Sequence, residues 1–248
     1  FEDGMKRVID GRPEALRRNC EDSLKRLGTE VIDLYYLHRW DRKVPVEDSV
    51  GEMARLKAEG KIRALGLSEV SAATLRRAHA VHPIAAVQAE YSLWTRNAEI
   101  AVLAACRELG AAFVAFSPVA RGYLTAEPPD VAKLDAKDIR RGMPRFIEPA
   151  HWAANLELRE GFVALAAEAR CTPAQLALAW LLAQGDDVIP IPGTTRVDNL
   201  LDDLGAAALS LPAAVIERAG ALINQRTVSG PRYSAQSSSE VDTETFEG

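Results

Sequence analysis

The stretch Val31-Ile-Asp-Leu-Tyr-Tyr-Leu-His38 has the form of a buried strand that ends in a polar residue. Four later segments repeat that form, each ending in a polar residue or glycine, and helical stretches separate them: Ile62–Ser68, Ala85–Gln88, Phe113–Ser117 and Val188–Gly193. Strands that alternate with helices predict an α/β fold with a parallel sheet, and a TIM (β/α)8 barrel carries its chemistry where such strands end. We therefore expect the five terminal residues to face one mouth: His38, Ser68, Gln88, Ser117 and Gly193.

The number of strands and the start of the sequence both bear on the extent of the fold. The chain begins with Phe1 rather than methionine, directly before a predicted helix, and five of a barrel's eight strands are recognisable. We therefore expect residues 1–227 to form part of a barrel that was cut upstream. Residues 228–248 are rich in Ser, Glu and Thr, and we expect a polar, largely disordered tail. Residues 120–158 have the composition of a long loop, which predicts a lid at the rim.

The composition argues against several classes of protein. The formal net charge is −5 and basic residues are scattered among acidic ones, so no nucleic-acid partner is expected. No apolar run approaches the ~20 residues of a membrane helix, and no secretory pattern opens the chain. The three cysteines have neither CxxC nor metal spacing, which predicts reduced, buried or partly buried thiols in a cytoplasmic protein. The histidines also lack metal spacing, and the absence of GxGxxG and GxxxxGK runs disfavours a Rossmann or P-loop site.

Polar side chains at the first three strand ends suit the recognition of a carbonyl and an amide. In one interpretation a neutral His38 donates a hydrogen bond to a substrate carbonyl, and in the other it is structural or simply exposed. Ser68 and Gln88 lie 20 residues apart on consecutive strands. Their hydroxyl and primary amide can pair with another amide, although a serine in this place also suits a helix cap.

Two later loops have the chemistry of phosphate binding. In Phe116-Ser-Pro-Val-Ala-Arg-Gly122 an aromatic face can stack on a planar ring, and an arginine beside glycine brings a guanidinium and backbone amides to a phosphate. In Ile191-Pro-Gly-Thr-Thr-Arg196 a glycine, two hydroxyls and a helix amino terminus attract an anion, and Arg196 suits an additional phosphate. Each loop alone is also consistent with an ordinary turn. Together they predict a two-sided clamp on a dinucleotide.

Five motifs in this order resemble the aldo-keto reductase family from residue 1 to about residue 233: Leu27–His38, Gly60–Ser68, Val87–Ser92, Phe116–Gly122 and Ile191–Arg196. The resemblance implies a TIM barrel of which this chain holds strands four to eight, with the first three βα units missing. It also implies that an aldehyde or ketone, a small-molecule substrate, is reduced to an alcohol by hydride transfer from NADPH, or from NADH in some members.

The resemblance also implies roles for individual residues. His38 is similar to the histidine of the family's Asp-Tyr-Lys-His tetrad, which orients the carbonyl; the other three members would lie upstream, so we expect this chain alone to be inactive. Ser68 and Gln88 resemble the pair that holds the nicotinamide carboxamide, and Phe116 replaces a stacking tyrosine. The remaining cofactor residues implied are Ser117, Pro118, Val119, Arg121 and Gly122 at the pyrophosphate, Gly193, Thr194, Thr195 and Arg196 at the 2′-phosphate, and Asp202 and Asp203 near the adenine.

Three departures from the family pattern affect the cofactor prediction. Glu69 and Asp203 each stand in place of an asparagine, and Gly193 stands where many members have a lysine, so a preference for NADPH over NADH rests on Arg196. A second function stays open, in which a regulatory protein binds NADP on the same barrel without chemistry; a Tyr and a Lys upstream would argue against it. A cofactor-free hydrolase would need a carboxylate pair, for which Glu69 and Glu90 are the candidates.

Overall fold

The computed structural model describes residues 8–246, within which ten α-helices alternate with five strands in the pattern that the sequence predicts. The strands are β1 (Ile32–Leu37), β2 (Ile62–Ser68), β3 (Ala86–Glu90), β4 (Ala112–Phe116) and β5 (Val188–Ile191). The helices are α1 (Pro13–Leu27), α2 (Val46–Ala58), α3 (Ala72–Val81), α4 (Val102–Leu109), α5 (Pro144–Ile147), α6 (Pro149–Glu168), α7 (Pro173–Leu182), α8 (Val197–Gly205), α9 (Ala213–Leu222) and α10 (Ala235–Ser238). The prediction of an α/β fold with these five strands is confirmed.

The five strands follow one another in the sheet in chain order, β1-β2-β3-β4-β5. β1 pairs with β2 in parallel, with Leu37 opposite Leu67, and β2 pairs with β3 in parallel, with Ser68 opposite Gln88. Parallel neighbours end on the same edge of a sheet, so this register determines which residues follow the strands side by side.

Local sequence signals begin and end several of the helices. α1 begins with Pro13, whose fixed φ suits the first turn, and ends at Gly28, which adopts a left-handed φ of 66°. Ser71 caps α3, because its side chain accepts a hydrogen bond from the backbone N–H of Thr74. α7 begins with a capping box formed by Thr172 and Gln175.

The described residues divide into two compact units. The first unit holds the described residues up to Ala89, together with Glu99–Phe113 and Ser239–Thr245. Its core is formed by apolar side chains from helices and strands that are fully shielded from solvent, among them Val50, Met53, Leu56, Leu65, Leu67, Leu75 and Cys106.

The second unit holds Glu90–Ala98, Val114–Ser238 and Phe246. An aromatic cluster lies at its centre, in which the Trp94 and Tyr123 rings stack with their centroids 4.1 Å apart and Phe146 packs edge-on against Trp94. Aromatic pairs of this kind add about 0.5–1.5 kcal/mol each to the contribution of buried area. Leu165 and Phe162 of α6 are also buried in this unit.

The segment from 120 to 158 is more ordered than the sequence predicts. We expected a long loop over the whole of this segment, whereas α6 already begins at Pro149. A proline at the first helical position and the helix-forming residues that follow it explain the earlier start. Short 3-10 turns occupy much of the remainder, at Ala120–Gly122, Val131–Lys133 and Ile139–Gly142.

The carboxyl-terminal segment also differs from the disordered tail that we expected. Within the second unit, Ser229 pairs with Asn155 through two hydrogen bonds. Within the first unit, Asp242 Oδ2 accepts hydrogen bonds from the backbone N–H and the hydroxyl of Ser71, and Glu244 Oε1 accepts one from Ala72 N. Carboxylates at a helix amino terminus satisfy N–H groups that have no partner within the helix, which explains how a polar segment becomes ordered.

Two further expectations from the composition can be compared with the structure. Cys20 and Cys106 are buried and Cys171 is half-buried, all three as free thiols, as the cysteine spacing predicts. Within residues 8–246, every helix is too short or too polar to cross a membrane.

Candidate cofactor site

The first unit brings together the polar residues that end its strands. Ser68 lies opposite Gln88 in the register of β2 and β3, and His38 directly follows Leu37, which lies opposite Leu67. Ser68 is buried, Gln88 is half-buried and the side chain of His38 is exposed. A hydroxyl and a primary amide thus lie side by side, although β3 continues for two residues beyond Gln88, where we expected it to end.

Neighbouring side chains hold this pair in place. Arg39 Nη1 donates hydrogen bonds to Ser68 Oγ at 3.0 Å and to the backbone carbonyl of His38 at 2.8 Å. The Tyr36 side chain is hydrogen-bonded to that of Gln88; burial raises the pKa of Tyr36, and this hydrogen bond opposes the rise. The Tyr36 ring lies directly over Gly66, where a Cβ atom would overlap it.

In the second unit one cavity of about 980 Å³ gathers residues from two separate loops and from α8. Every cofactor residue that the sequence predicts within this unit lines it: Phe116, Ser117, Pro118, Val119, Arg121, Gly122, Gly193, Thr194, Thr195, Arg196, Asp202 and Asp203. The loops follow β4 and β5, which are neighbours in the sheet, so the cavity opens where two adjacent strands end.

The loop after β4 has an unusual backbone. Three residues that are not glycine adopt the left-handed conformation, with φ of 51° at Ser117, 51° at Ala120 and 56° at Arg121. Each such residue is disfavoured by roughly 1–2 kcal/mol. Strain of this kind concentrates at functional sites, where the surrounding contacts maintain it. Arg121 in this loop both lines the cavity and donates a hydrogen bond to the buried Glu90.

Arg121 takes part in a buried ionic cluster formed with Glu90, Arg232 and Tyr233. Its Nη2 donates to Glu90 Oε2 at 2.9 Å, and Arg232 Nε donates to the same oxygen at 3.0 Å. The Tyr233 hydroxyl donates to Glu90 Oε2 at 3.2 Å and accepts from Nη2 of both arginines. Burial would raise the pKa of Glu90, but the charges of Arg232 and Arg121, with their hydrogen bonds, lower it to about 2.

The opposite wall of the cavity comes from the loop after β5 and from α8. Thr194 Oγ1 accepts a hydrogen bond from the backbone N–H of Arg196 at 3.1 Å. Asp202 Oδ2 accepts one from the Thr172 hydroxyl at 2.8 Å, at the amino terminus of α7. Burial, and then the charge of Asp202, raise the pKa of Asp203. This wall therefore presents a guanidinium at the start of α8 and two carboxylates near its end.

Some residues that line the cavity do not appear among the sequence-based predictions. Asn199 lies three residues after Arg196 and four before Asp203, so helical spacing from those two residues would have identified it. Arg140 lines the cavity as well, but its guanidinium binds Asp138 and the backbone carbonyl of Arg121. No pattern in the sequence connects Arg140 with the loop after β4.

The remaining histidines and acidic residues do not form a metal site in the part of the chain that the structure describes, where no cluster of three or more His, Cys, Asp or Glu side chains suits an ion. His151 is half-buried and forms a hydrogen bond with Ser229 Oγ at 2.8 Å. Its contacts are structural within the second unit.

Comparison with known proteins identifies a family and similar solved structures. The sequence model described as "Aldo/keto reductase family" matches residues 4–224. The solved structure of a glycerol dehydrogenase from Gluconobacter oxydans is 30% identical, with a TM-score of 0.82, and the match covers 93% of this chain and 69% of that one. A thermostable aldo-keto reductase, Tm1743, solved with the inhibitor epalrestat, is 28% identical, with a TM-score of 0.66, over 85% of this chain and 67% of that one.

Proposed function

Because the chain belongs to the aldo/keto reductase family of oxidoreductases, we propose that it binds NADPH for the reduction of an aldehyde or ketone to an alcohol. The observation that carries this proposal is a cavity of about 980 Å³ in the second unit. Its lining includes the Phe116 ring, residues of the loops after β4 and β5, and two arginines, Arg121 and Arg196. Ligand cavities of about 300–1,000 Å³ are typical for molecules of cofactor size.

The donors in the cavity suit the phosphates of NADPH. Arg121 Nε is buried and has no hydrogen-bond partner within residues 8–246. The guanidinium of Arg196 is exposed and forms no ion pair with any other described residue, and it stands at the amino terminus of α8. A guanidinium is the preferred partner of a phosphate group. We therefore assign Arg121 to the pyrophosphate and Arg196 to the 2′-phosphate that distinguishes NADPH from NADH.

The roles at the reacting end follow from the residues of the chain. The chemistry supplied by bound NADPH is hydride transfer to the carbonyl carbon. Within the first unit, His38 orients the carbonyl through a hydrogen bond to its oxygen. Within the second unit, Phe116 offers a half-buried ring on which a planar ring can stack. Because Arg39 already donates to Ser68 Oγ, the Ser68 hydroxyl hydrogen is left to donate to the carboxamide oxygen, while Gln88 supplies the second amide contact.

Direct titration of the chain with NADPH and NADH, followed by fluorescence quenching, tests the proposal. Arg196→Met should weaken NADPH binding by about tenfold, the effect of losing one charge-assisted hydrogen bond, and should leave NADH binding unchanged. Arg226→Met is the matched control, because Arg226 is exposed and lies outside the cavity. Equal losses for both cofactors, or no binding of NADPH by the unaltered chain, would contradict the proposal.

Carbonyl turnover is a separate measurement. His38 is the one tetrad residue with a counterpart in this sequence, so we expect the 248-residue chain to bind NADPH without reducing a generic aldehyde. Turnover by this chain would show that other residues supply the proton.

The same observation favours a second function, a regulatory protein that senses NADP without chemistry. Calorimetry separates the two functions. If the chain retains a reductase site, a small ketone should bind when NADP⁺ is present, and His38→Ala should weaken that binding. A sensor would give the same ketone affinity with and without NADP⁺.

A further inference from the structure

Two arginines in the second unit share one buried carboxylate. Glu90 is 3% exposed at its side chain, Arg121 14% and Arg232 10%, and both guanidinium groups donate to Glu90 Oε2. The single negative charge of a carboxylate cannot neutralise two guanidinium groups. The distribution of this charge between Arg121 and Arg232 therefore determines how strongly either arginine can attract another anion.

Arg121 is the member of the cluster that lines the cavity. Its Nη2 is occupied by Glu90 and Tyr233, whereas its Nε is buried without a hydrogen-bond partner in the described part of the chain. Arg121 therefore brings a positive charge to the wall of the cavity, and a cation there favours an anion as the occupant.

Arg232 reaches the cluster from the carboxyl-terminal segment and is not among the residues that line the cavity. Its guanidinium lies 5.9 Å from the centre of the Phe116 ring, against 5.8 Å for Arg121, so the ring packs beside both cations. It also lies 4.3 Å from the centre of the Tyr233 ring. These contacts fix Arg232 on Glu90.

We infer that Arg232 is a positioning residue for anion binding, which acts by binding Glu90 and so leaves the charge of Arg121 available to a phosphate or pyrophosphate in the cavity. Without Arg232, a larger share of the Glu90 charge would act on Arg121, which would then attract an anion less strongly. Where that anion is the pyrophosphate of NADPH, the inference rests on the proposed function. The charge argument itself requires only an anion.

Charge-altering variants of the whole chain test this inference, with inorganic pyrophosphate as the probe in a ³¹P NMR titration. Arg232→Met should weaken pyrophosphate binding by about tenfold. Adding Glu90→Gln to that variant should restore affinity to within about threefold of the original, because Arg121 then faces a neutral amide. Arg232→Lys should retain most of the affinity, and Arg226→Met, an exposed charge change in the same region, should have no effect.

The double variant separates the charge mechanism from loss of structure. If Arg232 merely supported the fold, Glu90→Gln would not restore binding, and a double variant as weak as Arg232→Met would overturn the inference. Pyrophosphate binding by Arg232→Met equal to that of Arg226→Met would overturn it as well. If Arg232→Met does not fold, the single variant Glu90→Gln tests the inference instead. Removing the carboxylate that competes with the anion for Arg121 should tighten pyrophosphate binding several-fold. Unchanged or weaker pyrophosphate binding by Glu90→Gln would refute the inference.

NADPH titration of the same variants distinguishes this inference from the proposed function. If the pyrophosphate pattern holds and the unaltered chain does not bind NADPH, the proposed cofactor is wrong and the role of Arg232 stands. If the unaltered chain binds NADPH and Arg232→Met binds it equally well, the cofactor assignment stands and the role of Arg232 is wrong.

Discussion

Gly66 offers a sharp test of how the sheet supports the strand-end residues. It is buried in β2, opposite Tyr36 of β1, and a Cβ atom placed there would lie 2.5 Å from Tyr36 Cδ1 and 3.0 Å from Cζ. Carbon atoms in favourable contact are about 3.5–4.0 Å apart. In Gly66→Ala the ring must therefore move by about an ångström, and the hydrogen bond between Tyr36 and Gln88 moves with it.

The size of the effect follows from the overlap. Extra atoms in a packed core cost about 1–3 kcal/mol, and a clash with several ring atoms places Gly66→Ala near about 2 kcal/mol of lost unfolding free energy. For a chain of this size that loss corresponds to a fall in Tm of about 4–8 °C. Gly51→Ala is the control, because Gly51 lies within α2 with open space around it, and alanine there should stabilise the helix by about 1 kcal/mol.

Urea unfolding of four proteins measures the interaction: the unaltered chain, Gly66→Ala, Tyr36→Ala and the double variant. If the ring is the obstacle, the cost of Gly66→Ala should fall below about 0.5 kcal/mol once Tyr36 is alanine, since residues in contact show non-additive effects. The same cost in both backgrounds would refute the steric explanation. NADPH titration of Gly66→Ala then shows whether the displaced Gln88 matters for binding.

Three further predictions concern stability. The pKa of Glu90 in the folded chain, about 2, lies below its ordinary value of 4.5. Ionised Glu90 therefore contributes about 3 kcal/mol to the free energy of unfolding above pH 4.5, and this contribution is lost as pH falls toward 2. The difference in urea stability between the unaltered chain and Glu90→Gln should shrink over that range, and a constant difference would contradict the prediction. The pKa of Asp203 is raised, so its ionised form destabilises the fold at pH 7. Asp203→Asn should be more stable than the unaltered chain at pH 7 and should lose that advantage below pH 3.8. It should also bind NADPH more tightly, because a negative charge is removed from the cavity. Ser71→Ala removes the cap of α3 and should cost about 1 kcal/mol in chemical denaturation, whereas Ser71→Asn should cost little.

The strands could be predicted from the sequence because their signal is local. The run that ends at His38 is apolar over a length that suits a strand, and a helical segment bounded by Pro13 and Gly28 precedes it. The two loops after β4 and β5 also carried a local signal, and the structure places both around one cavity. Their role in cofactor binding stays a prediction.

The parts that sequence reasoning missed depend on distant contacts. Glu90 and Arg232 are separated by 142 positions, and nothing near either residue indicates that they meet. The ordered carboxyl-terminal segment was missed for the same reason, since Asp242 is held by Ser71 far away in the chain. The composition of a segment indicates how much apolar surface it can bury by itself. This segment is ordered instead by hydrogen bonds to polar backbone groups that other elements leave without a partner.

α8 has two dissimilar faces, and this has a consequence for motion. Its polar residues line the cavity and are fastened to α7, where Asp202 accepts hydrogen bonds from Thr172 and Gln175. Its apolar residues Val197 and Leu201 are 71% and 62% exposed. A helix with so little of its apolar surface covered opens easily, so its amides should exchange with deuterium early. A ligand in the cavity would add contacts to the polar face of α8. Slower deuterium exchange along α8 would then show that the cavity is occupied, without the need for a chromophore.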